Sequence, residues 1–393
     1  MIPINKPWIG KEEQDEVMHV LEENALTSAV KDGGKRVRDF ESLLRNYLKV
    51  KHTIAVNSGT ASLYAALLAA GIKQGDEILL PSFTFVATAN SIVAVGAKPV
   101  FVDIKPDDYT IDVSDLKAKI TTKSKAIIPV HLYGHPSDMD EINELAEKYS
   151  LDVIEDACQS LGSTYNKKQT GTIGIMGCFS MYASKVLTCG EGGAIATNND
   201  GLADKLKLIR NHGMVEGYDT RILGLNLRLP ELSAAIAKVQ MNKLSKMLEL
   251  RRKNAELLTK LVFPTIRVND SENDNNGGGD SSEFGNNNDK KGIIRIPQET
   301  SKKKFNWYLY TVAFEESNLR DKIKERMISD KIGVTIYYDP PVHKTPYYKD
   351  TDKLAITEWA SKHVLSLPIH PLVTDQDIVY MAESIKKTYH HIL

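Results

Sequence analysis

From residue 52 to about residue 200, short runs rich in Val, Ile and Leu alternate with longer stretches of helical period. HTIAV (52–56), EILLP (77–81), KPVFVDI (98–104), AIIPVH (126–131), LDVIEDA (151–157), CFSMYA (178–183) and GAIATN (193–198) read as strands. Between them, TASLYAALLAAG (60–71) reads as a mostly buried helix and SFTFVATANSIVAVG (82–96) as a helix-like stretch. DMDEINELAEKYS (138–150) has a helical period and an acidic first turn. Strands separated by helices imply right-handed crossovers, hence an α/β fold with a mainly parallel sheet covered on both faces. Binding groups are then expected at the carboxyl ends of the strands.

Residues 231–262 read as one long helix, heavily charged after Lys243. It divides the chain into a large domain, residues 1–245, and a smaller C-terminal one, residues 246–393, with the first 25 or so residues free to pack on the smaller one. The segment 270–290 is low in complexity, with 17 of its 21 residues Asp, Asn, Gly or Ser. It offers too little apolar area to offset its ordering entropy and is expected to be a disordered surface insert. The NDS sequon at 269–271 falls beside it and is read as a chance match.

Composition changes this picture little but excludes a good deal. Fifty Lys and Arg face 51 Asp and Glu, for a net charge of −1, so nothing draws the chain globally to nucleic acid or anionic membrane. Its three cysteines, Cys158, Cys178 and Cys189, have neither CxxC nor zinc-ligand spacing, and no His/Cys/Asp cluster predicts a metal. No apolar leader opens the sequence, and the longest apolar run is too short for a bilayer. These features predict a cytoplasmic protein with reduced thiols.

Four segments carry candidate chemistry. In NSGTA (57–61), Gly59 lets backbone approach a ligand closely, and Thr60 offers a hydroxyl and a helix-start N–H suited to phosphate. Read alone, the segment is better explained by Ser58 or Thr60 as an ordinary N-cap with a turn glycine. In LDVIEDACQS (151–160), Asp156 ends a strand at the lip of the sheet, where a carboxylate can hold a protonated ring nitrogen, and Gln159 follows one turn on. In CFSMYASKVLTCGEGG (178–193), Lys185 follows Ser180 by five residues and is the sole charge between Gly171 and Gly190. An isolated lysine in apolar surroundings favours the free amine that a Schiff base needs. Asn226 and Arg228 precede the helix start at Pro230 in GLNLRLPELSAAIAKVQ (224–240).

Taken in order, NSGTASL, GDEILLPSFTFVATANSIVAVGAKPVFVDI, VHLYG, EDACQSLG, FSMYASKVLTCGEGG, RNHG and GLNLRLPELSAAIAKVQ resemble the sugar aminotransferases of the DegT/DnrJ/EryC1/StrS family. YYDPPVH (337–343) and SKHVLSLPIHP (361–371) continue the likeness, so only the insert departs from it. The resemblance implies a fold type I, aspartate-aminotransferase-like architecture, a seven-stranded mainly parallel sheet plus a small α+β domain, and a homodimer with pyridoxal 5′-phosphate (PLP). By motif, Lys185 would form the Schiff base and shuttle the proton, while Asp156 would pair with the pyridine nitrogen. Gln159 would reach the ring hydroxyl, and Phe85 would stack on the ring. Gly59, Thr60 and Ser180 would hold the phosphate, with Asn226 reaching it from the partner subunit. Glutamate would be the donor, leaving as 2-oxoglutarate, and a keto sugar on a nucleoside diphosphate the acceptor. Tyr338 and His343 match the family's Y-x-P-x-H pattern loosely and are expected sugar–nucleotide contacts. Met181 and Cys189 depart from the family's usual residues on either side of Lys185, which puts pocket shape in question.

Two other functions fit the same likeness. One is a PLP-dependent sugar dehydratase, a reading that the retained Lys185 disfavours, since one dehydrating branch replaces this lysine by histidine. The other is a non-enzymatic regulator, which would call for the basic face and recognition helix that this chain lacks.

Overall fold

A computed structural model describes residues 1–262 and 294–392. The insert expected at 270–290 and the sequon at 269–271 lie outside the described residues.

The strands follow the chain as β1 (His52–Val56), β2 (Glu77–Pro81), β3 (Lys98–Val102), β4 (Ser124–Ile127), β5 (Asp152–Asp156), a short hairpin of β6 (Thr164–Tyr165) and β7 (Lys168–Gln169), then β8 (Met176–Ser180) and β9 (Gly193–Thr197). Seven of them form one sheet in the order β1-β9-β8-β5-β4-β2-β3. Neighbours from β8 to β3 are parallel, and β9 alone runs against both β8 and β1. The sheet is therefore seven-stranded and mainly parallel, as the alternation of strand and helix predicts.

Helices α1 (Lys11–Glu22) and α2 (Lys35–Leu48) precede the first strand, and α3 (Gly59–Ala69), α4 (Ala87–Ala94), α5 (Val113–Lys119), α6 (Met139–Tyr149), α7 (Asp200–Arg210) and α8 (Glu231–Val262) follow. The period of two in the strands sorts side chains to the two faces. Ile54, Val56, Ile78, Leu80 and Ile154 pack with α3, α4 and α7. Their alternates divide between two clusters on the opposite face: Ala55 packs with α2 and α8, and Leu79, Ile127 and Val153 pack with α5 and α6.

A fourth cluster surrounds a three-stranded antiparallel sheet of β10 (Ile294–Arg295), β12 (Tyr310–Phe314) and β13 (Val364–Leu367). Between β10 and β12, β11 (Lys303–Lys304) pairs with β6. The C-terminal part of α8, with α9 (Ser317–Ser329) and α11 (Asp375–Ile392), covers that sheet through Leu258, Leu319, Ile323, Ile378 and Met381. The chain start is tied down as well: Ile2 bridges Ile332, and Lys243 of α8 reaches Glu13 of α1 at 2.8 Å.

β4 ends earlier than the expected strand AIIPVH, and the reason bears on the site. Pro129 has no N–H to give, but its carbonyl still accepts from Asp156 at 2.9 Å, and the His131 N–H donates to the Asp156 carbonyl at 3.1 Å. Two backbone bonds thus hold Asp156 at the lip of the sheet. Beside it, Glu155 is wholly buried and accepts from His131 Nε2 (2.9 Å) and the N–H groups of Gly171 (2.7 Å), Ile173 (2.6 Å) and Gly174 (2.7 Å). His131 Nδ1 in turn accepts from the Ser137 N–H, so the ring is a neutral Nε2–H tautomer with a structural role.

Candidate active site

A cavity of about 470 Å³ opens at the carboxyl ends of the parallel strands, where β5 and β8 meet the start of α3. Of the ten residues expected from sequence, eight line it: Gly59, Thr60, Phe85, Asp156, Gln159, Ser180, Lys185 and Tyr338.

Ser58 starts α3 in an extended conformation, and its Oγ accepts from the Ala61 N–H at 3.0 Å. The N–H groups of Gly59 and Thr60, ahead of the first intrahelical bonds, are left for a ligand at the positive end of the helix. Gly59 faces the end of β8 so closely that a Cβ there would stand 2.7 Å from Ser180 Cβ and 3.2 Å from Cys158 Sγ. Only a bare backbone leaves this corner open.

Asp156 is 5% exposed, and each of its oxygens is engaged. Oδ1 accepts from the Cys158 N–H at 3.1 Å and Oδ2 from the Thr88 hydroxyl at 2.8 Å. Thr84 Oγ1 lies 2.9 Å from Thr88 Oγ1, so a chain of two hydroxyls leads to the carboxylate. Gln159 accepts from the Tyr133 N–H at 2.9 Å and donates through Nε2 to Tyr338 Oη at 3.1 Å, which leaves one amide hydrogen free.

Lys185 follows a turn closed by its own N–H to the Tyr182 carbonyl at 2.9 Å. Its Nζ lies over the Tyr308 ring, 4.8 Å from the centroid, and the Tyr308 hydroxyl is 3.2 Å from Ser184 Oγ. An aromatic face, rather than a salt bridge, locates the amine. Met181 and Cys189, the departures flanking Lys185, are both buried in the core beneath the site and take no part in its wall.

The far wall is aromatic: Phe85, Tyr308, Tyr337 and Tyr338, with Phe85 and Tyr338 ring centroids 6.1 Å apart. Burial, with a smaller contribution from Tyr308, pushes the Tyr338 phenol well above its ordinary pKa. Burial and then the neighbouring Asp156 do the same to the Cys158 thiol. Both groups are therefore neutral at physiological pH, as hydroxyl and thiol.

Two expected residues are placed elsewhere. Asn226 is exposed and outside this cavity, with its carbonyl accepting from Asn57 Nδ2 at 3.3 Å. His343 is wholly buried behind the aromatic wall, 2.6 Å from Ser82 Oγ through Nδ1, a position that gives no support to a direct substrate contact. The sequence reading passed over Thr84, Thr88 and Tyr308. The first two carry a signal, hydroxyls four apart in a helix-forming stretch, whereas nothing near Tyr308 distinguishes it from a core aromatic.

Among the described residues, no group of three or more His, Cys, Asp or Glu is placed to hold a metal ion, and no helix is long and apolar enough to cross a membrane. Comparison with known proteins gives the arrangement a context. The chain is 34% identical to a GDP-perosamine synthase of Caulobacter vibrioides, with 96% of this chain and 95% of that protein covered. It is 35% identical to a pleiotropic regulatory protein of Geobacillus stearothermophilus, over 99% of this chain and the whole of that one. A crystal structure of a DegT DnrJ EryC1 StrS aminotransferase from Brucella abortus superposes with a TM-score of 0.84 at 31% identity, covering 96% of this chain and 95% of that one. The pattern of the DegT/DnrJ/EryC1/StrS aminotransferase family matches residues 7–270 and 286–386. With nearly every segment of the chain accounted for by that pattern, and with the fold and enzyme class expected from its motifs, this chain belongs to the DegT/DnrJ/EryC1/StrS aminotransferase family.

Proposed function

We propose that this chain is a cytoplasmic aminotransferase that uses PLP to move an amino group from glutamate to the keto group of a sugar carried on a nucleotide. One observation carries the reading: a lysine amine, a buried carboxylate and a helix N-terminus with a bare glycine backbone converge on one cavity.

The residues present fit the cofactor. The corner kept open by Gly59 has the donors that a phosphate needs, in the N–H groups of Gly59 and Thr60 and the hydroxyls of Thr60 and Ser180. Asp156, fixed by Thr88 and Cys158, is an anionic partner for a protonated ring nitrogen. The free hydrogen of Gln159 suits the ring hydroxyl, and the Phe85 ring offers a face to stack on. When bound, PLP supplies an electron sink that makes the donor's Cα–H acidic.

The chain's own part in the reaction is then proton handling and orientation. Lys185 would be the amine that joins PLP; once freed by the incoming donor amine, its Nζ would take and hold the proton from the donor's Cα, and it would serve the acceptor in the reverse sense. Tyr308 keeps that amine within the cavity, and Asp156 would hold the ring nitrogen in its protonated form. The aromatic wall excludes water from the reacting atoms.

The active site is completed, in this reading, by a second copy of the chain. Asn226 sits on a stretch that exposes Val215, Leu223 and Leu225, with Leu26 and Val30 also exposed nearby. A dimer covering that apolar surface brings Asn226 to the partner's phosphate corner. The regulatory name of one relative does not displace the enzyme reading, because the cavity brings together the lysine and the buried carboxylate that amino-group transfer calls for.

The test is spectroscopic. Purified protein should carry the visible absorption of bound PLP, lose it on adding glutamate, and regain it with a nucleotide-linked keto sugar. Protein that takes up no PLP, or whose spectrum ignores glutamate, would overturn the proposal.

A further inference from the structure

His343 is the one expected site residue that is buried and hydrogen-bonded yet has no place in the reaction. It faces Ser82, the residue just after β2, and both are 0% exposed. Ser82 Oγ accepts the His343 backbone N–H at 3.1 Å, so its own hydrogen is free to donate to His343 Nδ1 at 2.6 Å. The Val342 N–H donates to the Ser82 carbonyl at 3.2 Å. On the other side of the ring, Nε2–H points to Glu358 Oε1 at 3.4 Å, on helix α10 (Ala355–His363). That helix is itself anchored to the end of β3, where Asp103 accepts the N–H groups of Ile356 (3.0 Å) and Thr357 (2.8 Å). Burial, opposed by Glu358, lowers the pKa of the imidazole below its ordinary value, which suits the neutral tautomer this pattern requires.

Three residues beyond Ser82 in the chain stands Phe85, and five before His343 stands Tyr338. These are two of the four rings of the cavity wall, packed at 6.1 Å, with Phe83 against Tyr338 at 6.4 Å. The segments that carry them are far apart in sequence, and the Ser82–His343 pair joins them at a buried point outside the cavity.

We propose that His343 is a positioning residue: its bond to Ser82 clamps the segment bearing Tyr338 to the segment bearing Phe85 and thereby sets the aromatic wall against the cofactor. The inference rests on the proposed PLP site, and it replaces the substrate contact expected from sequence.

The side-chain chemistry makes the clamp testable without relying on turnover. Asn at 343 can place an acceptor where Nδ1 stands and keep the Ser82 bond, whereas Gln reaches toward Glu358 and gives it up. Apo protein would be titrated with PLP, following absorption, and each apo variant melted alongside. For His343→Asn we expect cofactor affinity within about twofold of the native chain. For His343→Gln we expect a loss of roughly tenfold, the size of one buried hydrogen bond, at a melting temperature close to that of His343→Asn; Ser82→Ala, which also strips the buried His343 N–H of its acceptor, should lose at least as much affinity and melt lower. Equal affinities for Asn and Gln, or affinities that follow melting temperature across all the variants, overturn the clamp while leaving the PLP site intact. A native chain that binds no PLP overturns the functional reading itself, and the clamp with it.

Discussion

Replacing Asp156 by Asn separates the structural duties of this residue from its electrostatic one. The Cys158 N–H is a fixed backbone donor, so the amide oxygen of Asn must stay on it, leaving Nδ2 toward Thr88. The Thr88 hydroxyl has other acceptors in reach, Thr84 Oγ1 at 2.9 Å and the Phe85 carbonyl at 3.1 Å. The fold therefore loses at most one hydrogen bond, about 0.5–1.5 kcal/mol, and the melting temperature should fall by no more than about 4 °C. The cofactor's ring nitrogen, by contrast, loses its only proposed anionic partner. Breaking a buried charge pair costs about 3–5 kcal/mol, which corresponds to a rate loss of roughly 10²- to 10⁴-fold. The assay is a single-turnover reaction of PLP-loaded protein with glutamate, read by absorption, with a thermal melt in parallel. Loaded variant that reacts within tenfold of the native rate would refute the role of Asp156. A stability loss as large as the rate loss would show instead that the carboxylate serves the fold.

Three other outcomes follow from the structure. Gly59→Ala places a methyl 2.7 Å from Ser180 Cβ, so PLP affinity should fall at least tenfold, with overpacking costing about 1–3 kcal/mol of stability; titration with PLP checks the first and a melt the second, and unchanged affinity would move the phosphate away from this corner. His370 is buried, repelled by Arg251 and lowered to about 4, with Nδ1 accepting from the Leu372 N–H at 3.3 Å. Its folded-state pKa lies below the unfolded one, so the unfolded chain binds the extra proton and stability falls as pH drops from about 6.5 toward 4, by up to about 1.4 kcal/mol per pH unit; denaturant unfolding at several pH values should show a shallower dependence in His370→Gln, and an identical slope would contradict the assignment. Leu223→Asp adds a charge to an apolar surface where Leu223 is 67% exposed, and sedimentation should show dimer converted to monomer; an unchanged dimer would place the interface elsewhere.

Much of this could be read from the sequence because the sheet is regular. A strand buried on both faces reads as a short, mostly apolar run, and HTIAV and EILLP coincide with β1 and β2. β4 stops short where Pro129 cannot donate, although the sheet continues past it through Val130 and Asp156. The residues that line the cavity from β5, β8 and the start of α3 were legible because each sits in a short motif at a strand end. Tyr308 was not, since it meets Lys185 across more than a hundred residues with no spacing to mark it. His343 shows the opposite failure. Its motif is visible, yet whether such a histidine faces the ligand or the core is decided by Ser82, which the chain places 261 residues away.

The central claim is that Lys185 is the amine that joins PLP. Borohydride reduction of the loaded protein, followed by peptide mass spectrometry, tests it directly, with Lys185→Ala as the control. A reduced pyridoxyl group on Lys185, absent from the control, is the predicted result. An adduct on another lysine, or none in protein that has demonstrably bound PLP, would contradict it.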